Sequence, residues 1–209
     1  DAGSMVDTTT LTISGAGNFT ITNLIADLSS TANGGAISIT TADVATQTIA
    51  LGSGTAGTRS INATAMADGN TLTLTGAGAA SVSLTAADLA AGSYTGNLTV
   101  TTGSGVSSIV TGSGNDSVTM AVSAGNIDAI NAGDGNDTLV LAGTAAGDVT
   151  VDLSVATDAD QLTLINGAAE NLVQSNFENV DASAMTGGGL IAWARALGSR
   201  IIGTAQNDT

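Results

Sequence analysis

The side chains of this chain that could do chemistry are nearly all carboxylates, and the most telling of them close glycine-rich turns. Asp116 ends Gly112-Ser113-Gly114-Asn115-Asp116, and Asp137 ends Gly133-Asp134-Gly135-Asn136-Asp137. Asp128 follows Gly125-Asn126-Ile127, and Asp208 follows Gln206-Asn207. The chain has no His, no Cys and no Lys, and only two Glu. Ser-His and Cys-His nucleophilic pairs are therefore impossible within it, and a zinc site lacks its usual ligands. Hard oxygen donors remain, carboxylates together with the carbonyls of turns that glycine lets curl inward. Ca²⁺ takes such donors, about six to eight at a time. The candidate ligand set is Gly112, Gly114, Asp116, Asp128, Gly133, Asp134, Gly135, Asp137 and Asp208.

The elements that must carry these turns are short and repeated. From Thr101 to Leu139 the chain reads as four nonapeptides, TTGSGVSSI, VTGSGNDSV, VSAGNIDAI and NAGDGNDTL, with Thr119-Met120-Ala121 inserted after the second. Each ends in an aliphatic residue. A small-residue turn followed by one short strand cannot bury its apolar side alone and is stable only when stacked on its neighbours. The predicted fold is all-β, a parallel β-solenoid with Gly/Asp-rich turns. If successive nonapeptides alternate between two edges, Asp116 and Asp137 share one edge and Asp128 lies on the other.

This stretch resembles the glycine-rich nonapeptide repeats of RTX proteins, whose pattern G-G-x-G-x-D-x-U-x forms a parallel β-roll holding Ca²⁺ between stacked turns. The match runs through Gly112, Gly114, Asp116 and Val118, and through Gly133, Gly135, Asp137 and Leu139. It departs at Thr111 and Ala132, which replace the first glycine, at Ser107, which replaces the acid, and at Ala124 and Asn126. FENVDASAMTG (177–187) resembles a phrase of RTX-like surface-layer and adhesin proteins, and IIGTAQNDT (201–209) an RTX-type turn. The resemblance implies a secreted, calcium-stabilised solenoid exported by type I secretion to the cell surface. The competing reading takes GSGND and GDGND as ordinary turns, since Asn, Asp and Gly make turns without any ion. Stacked like charges at Asp116, Asp134 and Asp137 argue for a cation.

Composition agrees with narrow stacked rungs. Of 209 residues only 2% are aromatic and 10% charged, Pro is absent, and the mean hydropathy is +0.33. The net charge of −15 opposes Arg59, Arg195 and Arg200 to 18 acids. That balance argues against nucleic acid and against an anionic membrane, which both require basic patches. No apolar run is long enough to insert in a membrane.

The first half of the chain is duplicated. TLTISGAG (10–17) returns as TLTLTGAG (71–78), and Ala26-Asp27-Leu28 as Ala87-Asp88-Leu89. DAGSM, NATAM and DASAM open copies at Asp1, Asn62 and Asp181. The expected organisation is a degenerate unit over 1–61, a second unit over 62–140 ending in the nonapeptides, irregular rungs over 141–180, and the start of a third unit over 181–209. Because the chain opens and stops mid-pattern, it reads as a segment of a longer polypeptide. In TIALGSGTAG (48–57) Thr55 and Ala56 align with Asn115 and Asp116, a turn that has lost its ligand.

Period-two alternation predicts strands at 11–13, 19–21, 37–39, 72–74, 82–84, 98–100, 149–153 and 161–165, and the place of 190–197 in its unit predicts another. TAADLAAG is compatible with a helical turn, with Asp27 and Asp88 capping it, solvated, or reaching an ion. Phe177 and Val180 are expected to plug a rung, with Glu178 and Asp181 solvated. Ladders of Thr admit an ice-binding or polysaccharide-binding face, against which the uneven spacing stands.

Three functions fit. The first is a non-enzymatic subunit of a surface layer or filament that self-assembles with copies of itself and Ca²⁺. The second is an adhesin or matrix spacer with cell-surface polysaccharide as a possible partner. The third is the calcium-binding module of a secreted enzyme.

Overall fold

The computed structural model describes residues 1–53, 57–122, 127–155, 160–169 and 172–209. The chain winds in coils, each contributing one short strand to each of two parallel sheets. In chain order these are β1 (Thr10–Gly15), β2 (Phe19–Leu24), β3 (Asp27–Asn33), β4 (Ile37–Thr41), β5 (Thr46–Leu51), β6 (Arg59–Asn62) and β7 (Thr71–Gly76). The stack continues with β8 (Ala80–Ser83), β9 (Asp88–Ala90), β10 (Leu98–Thr101), β11 (Ser108–Val110), β12 (Ser117–Ala121), β13 (Ala129–Asn131) and β14 (Thr138–Thr144). An excursion then forms β15 (Val149–Asp152), β16 (Leu162–Ile165) and β17 (Ala168–Ala169), before β18 (Gln174–Ser175) and β19 (Asn179–Thr186) rejoin the two sheets. Last come β20 (Leu190–Trp193) and β21 (Ile201–Ile202).

The odd-numbered strands β1 to β13 and then β18 form one sheet, and the even-numbered strands β2 to β14, then β19 and β21, form the other. In the excursion β15 pairs antiparallel with β16 and parallel with β20. This is the expected parallel β-solenoid, with an antiparallel hairpin let out of one coil. Among the described residues no helix is long and apolar enough to cross a membrane.

One column shows why these residues make these strands. Ile21, Ile39, Ile61, Val82, Val100, Val118, Leu139, Val180 and Ile201 stand directly opposite one another through the whole second sheet. All but Ile201 are buried. Branched aliphatic side chains pack well on a pleated surface, and each buried one contributes about 1.5–3 kcal/mol. Their neighbours in sequence, Thr20, Ser38, Ser60, Ser81, Thr99, Ser117 and Thr138, line up on the outer face of the same strands.

The duplication is a structural one. β1, β2, β3 and β4 begin at residues 10, 19, 27 and 37, and β7, β8, β9 and β10 at 71, 80, 88 and 98, a constant step of 61. Ala2, Ala63 and Ala182, which open the three copies, are all buried. Both sheets run unbroken through residues 61 and 140, so the units are repeats within one stack.

Two expectations are corrected. The Ala-Asp-Leu segments form no helical turn: Asp27 and Asp88 begin β3 and β9, and each carboxylate accepts the N–H of the next coil, from Thr48 and Ser108, both at 2.7 Å. That backbone hydrogen bond holds an extended strand where local propensity allows a helix. The segment 190–197 is a strand only over Leu190–Trp193, after which the chain turns outward.

Candidate functional site

The turns before β12 and β14 stack, as the alternation of edges requires. Asp134 N–H donates to Gly112 O at 3.0 Å, joining the turn of one coil to that of the next. A Cβ on Gly112 would run into the Tyr94 carbonyl oxygen, one on Gly114 into that of Gly96, one on Gly133 into that of Gly112, and one on Gly135 into that of Gly114. The glycines are thus required chiefly by carbonyls pressing from the coil before, while Gly133 also takes φ 81°.

The acids occupy a position that faces the core. Register places Phe19, Ile37, Arg59, Ala80, Leu98, Asp116, Asp137 and Glu178 in one column at the starts of the second sheet's strands. The early coils fill it with Phe19, Ile37, Ala80 and Leu98 and with one cation, Arg59, and the later ones with carboxylates. Asp116 and Asp137 are buried. Each acid accepts the N–H of the residue opposite in the preceding coil: Leu98 N–H to Asp116 Oδ1 at 2.7 Å, Asp116 N–H to Asp137 Oδ1 at 2.6 Å, and Asp137 N–H to Glu178 Oε2 at 2.7 Å. The Arg195 guanidinium ion-pairs with Glu178 at the far end of the column. Glu178, expected to be solvated, is therefore the third acid of this column. The residue that register carries to the Asp116 position in the coil of β6 is the buried Arg59; Thr55 and Ala56, aligned there by sequence, lie outside the described residues.

A second ladder runs beside the first in the opposite direction. Asn97 Oδ1 accepts the N–H of Asn115 at 2.9 Å, and Asn115 Oδ1 that of Asn136 at 3.0 Å. Asn136 Oδ1 accepts the side-chain amide of Asn179, whose own Oδ1 accepts Arg200 N–H. The dipeptide Asn-Asp therefore ties each coil to both neighbours, Asn receiving from the coil after and Asp from the coil before.

Asp208 repeats this geometry. Its Oδ1 accepts Leu190 N–H at 2.7 Å and its Oδ2 accepts Thr204 N–H at 2.9 Å. Asp116 takes the equivalent N–H groups, Leu98 through Oδ1 and Gly112 through Oδ2, the latter at 3.3 Å. On the other edge Asp128 is fully buried, with Oδ1 receiving Ser107 N–H at 2.8 Å. Ala124 and Asn126 of its turn lie outside the described residues. Asp134 is exposed.

The electrostatics single out Asp137. Its Oδ2 is buried without a hydrogen-bond partner. Burial is the main cause that pushes its carboxyl up to about 7, and Asp116, Glu178 and Asp134 push in the same direction, against the hydrogen bond from Asp116 N–H. Asp128 is also raised, first by burial, against hydrogen bonds from Thr102 and Ser107. A buried carboxylate oxygen without a donor, among other carboxylates, is costly unless a proton or a cation joins it.

A hard divalent cation such as Ca²⁺ would find its charged ligands here in Asp116 and Asp137. Among the described residues no three acidic side chains form a group that could hold a metal, so backbone carbonyls and water would complete the shell. Sequence reasoning missed Glu178, the Asn ladder and Arg59. Aligning Val180 with Leu139, its partner in register, would have found the first.

No protein-family model matches the chain, no curated protein matches it, and no solved structure does.

Proposed function

We propose that this chain is a structural, non-enzymatic segment of an RTX-type extracellular protein, a surface-layer or filament element stabilised by Ca²⁺ at the Asp116–Asp137 edge and assembled with copies of itself. The observation that carries the reading is the column of Asp116, Asp137 and Glu178, one acid per coil, stacked at a core-facing position with Asp137 Oδ2 lacking a donor. A stack that needed only turn residues would have no use for three successive carboxylates there, because the earlier coils fill the same position without any acid, with Phe19, Ile37, Arg59, Ala80 and Leu98. A divalent cation offsets their repulsion. Secretion to the cell surface accords with this role, since calcium sites of weak affinity fill only in calcium-rich surroundings. The absence of His, Cys and Lys supports a non-catalytic role.

Hydrogen exchange with and without a chelator tests the proposal. Calcium should add protection over 111–139 and little over 10–40, where no acid column stands. Equal gains in both regions, or none in either, would refute it.

A further inference from the structure

Beside the acid column the second sheet has a surface feature that the stacking does not explain. Where β8 begins, the outward-facing position carries Ala79, while the flanking coils carry Thr58 on one side and Asn97 on the other. The drop in side-chain size opens a groove of about 650 Å³ across the strands, reaching Asn115 and Ser117. Its size is that of a ligand site.

The groove's polar groups are oriented in advance. Asn97 Oδ1 is held by Asn115 N–H and Asn115 Oδ1 by Asn136 N–H. Each amide plane is thereby fixed, and among the described residues no hydrogen bond uses the Nδ2 of Asn97 or of Asn115. Both side chains are exposed. Two donors thus stand one strand step apart, about 4.8 Å. The hydroxyls of Ser81, Thr99 and Ser117 form a parallel row on the other wall. Ala80 and Leu98, the next residues along, turn inward beneath the groove and are buried.

We propose that this groove binds a neutral, hydroxyl-rich glycan chain lying across the strands. A row of fixed amide donors facing a row of hydroxyls matches a polymer that presents a hydroxyl of both donor and acceptor character at every ring. Among the described residues the lining carries no carboxylate, and the Arg59 guanidinium is buried against Gly78, so the described lining offers no exposed charge to draw a polyanion. The net charge of −15 repels one. Preorganisation lowers the cost of ordering the donors on binding. Among the described residues no aromatic side chain lines the groove, so binding rests on hydrogen bonds and is weak, with Kd about 1 mM. The site depends neither on calcium nor on assembly.

The test is an amide-resolved NMR titration of the chain with cellohexaose, maltohexaose, mannohexaose and, as the acidic counterpart, hexagalacturonate. At least one neutral hexasaccharide should shift Ala79, Ala80, Asn97 and Asn115 saturably, with hexagalacturonate inert. Asn97→Ala with Asn115→Ala should weaken binding by about tenfold. Ala79→Gln fills the groove from an exposed position, leaves the Asn ladder in place, and should weaken it by as much. The proposal is overturned if no neutral hexasaccharide binds at about 10 mM, ten times the expected Kd. It is equally overturned if the shifts lie elsewhere, if Ala79→Gln binds as the parent does, or if the acidic oligomer binds equally.

Discussion

The backbone N–H of Asp116 donates to Asp137 Oδ1 at 2.6 Å, so one acid of the column is hydrogen-bonded to the coil that carries the other. Each carboxylate has two oxygens, and this arrangement spends one of them on stacking. The second oxygen of Asp137 is left buried without a donor. The stacking role and the proposed ion-binding role would thus fall on two atoms of one side chain, and they can be separated by experiment.

The first prediction concerns pH in the absence of calcium. The folded pKa of Asp137 is raised from 3.8 to about 7, so between these values the native state binds more protons than the unfolded one. Stability then falls as pH rises through the window from about 4 to about 7. The loss is at most about 4 kcal/mol, at about 1.4 kcal/mol per unit. Bound Ca²⁺ favours the ionised carboxylate and should flatten or reverse the slope. Urea unfolding at several pH values, with chelator and with calcium, measures both arms. A calcium-free protein more stable at pH 8 than at pH 5 would contradict the assignment.

Asp137→Asn separates the two oxygens. The amide oxygen still accepts Asp116 N–H, while the charge is gone. At pH 8 without calcium the variant should be more stable than the parent, by about 1–3 kcal/mol, and should bind calcium weakly. Asp116→Ala removes the acceptor of Leu98 N–H and should lose about 1–3 kcal/mol besides calcium affinity. Asp27→Ala should leave calcium affinity unchanged. Calorimetry finding one affinity in all three variants would rule out the edge as the site.

Much of this fold could be read from the sequence because inward aliphatic and outward hydroxyl residues alternate at period two, as at Leu72-Thr73-Leu74 and Leu98-Thr99-Val100. The phase of the coils was harder. Thr10 pairs with Asp27 but Thr46 with Thr71, so coil length varies and the corners absorb the difference. That variation made the hydroxyl rows look irregular, although in space they are continuous. It also hid Glu178, which lies 41 residues beyond Asp137 where Asp137 lies 21 beyond Asp116, because the β15–β17 excursion intervenes. Asp116 and Asp137 were legible because the turn residues around them repeat; Arg59 was not, because an apolar-facing cation has no local signature.

Glycine substitutions test whether stacking or backbone conformation sets the turn sequence. A Cβ on Gly112 meets the Tyr94 carbonyl, whereas one on Gly17 meets nothing within 4 Å. Gly112→Ala should cost about 1–3 kcal/mol or more, and Gly17→Ala should stay within about 0.5 kcal/mol. Denaturant titrations of the two variants decide it, and equal midpoints would show that close stacking at Gly112 can relax freely.

The last prediction concerns assembly. Parallel strand edges are templates for further strands, and stacked coils add neighbours at low cost once the register is set. Like charge opposes this: the molecule carries −15, and exposed Asp134 adds to the charge about the Asp116–Asp137 edge. Neutralising that edge, and bridging exposed carboxylates between copies, requires a divalent cation, whereas monovalent salt only screens. Association should therefore rise with calcium into the millimolar range and fail at equal ionic strength in sodium chloride. Asp137→Asn, which keeps the stack but weakens the ion site, should shift the midpoint to higher calcium. Sedimentation velocity across a calcium titration, followed by electron microscopy of the heavy fraction, measures this. A monomer persisting at about 10 mM calcium, above the range of weak extracellular sites, would refute the lattice or filament role while leaving the calcium edge to the hydrogen-exchange test.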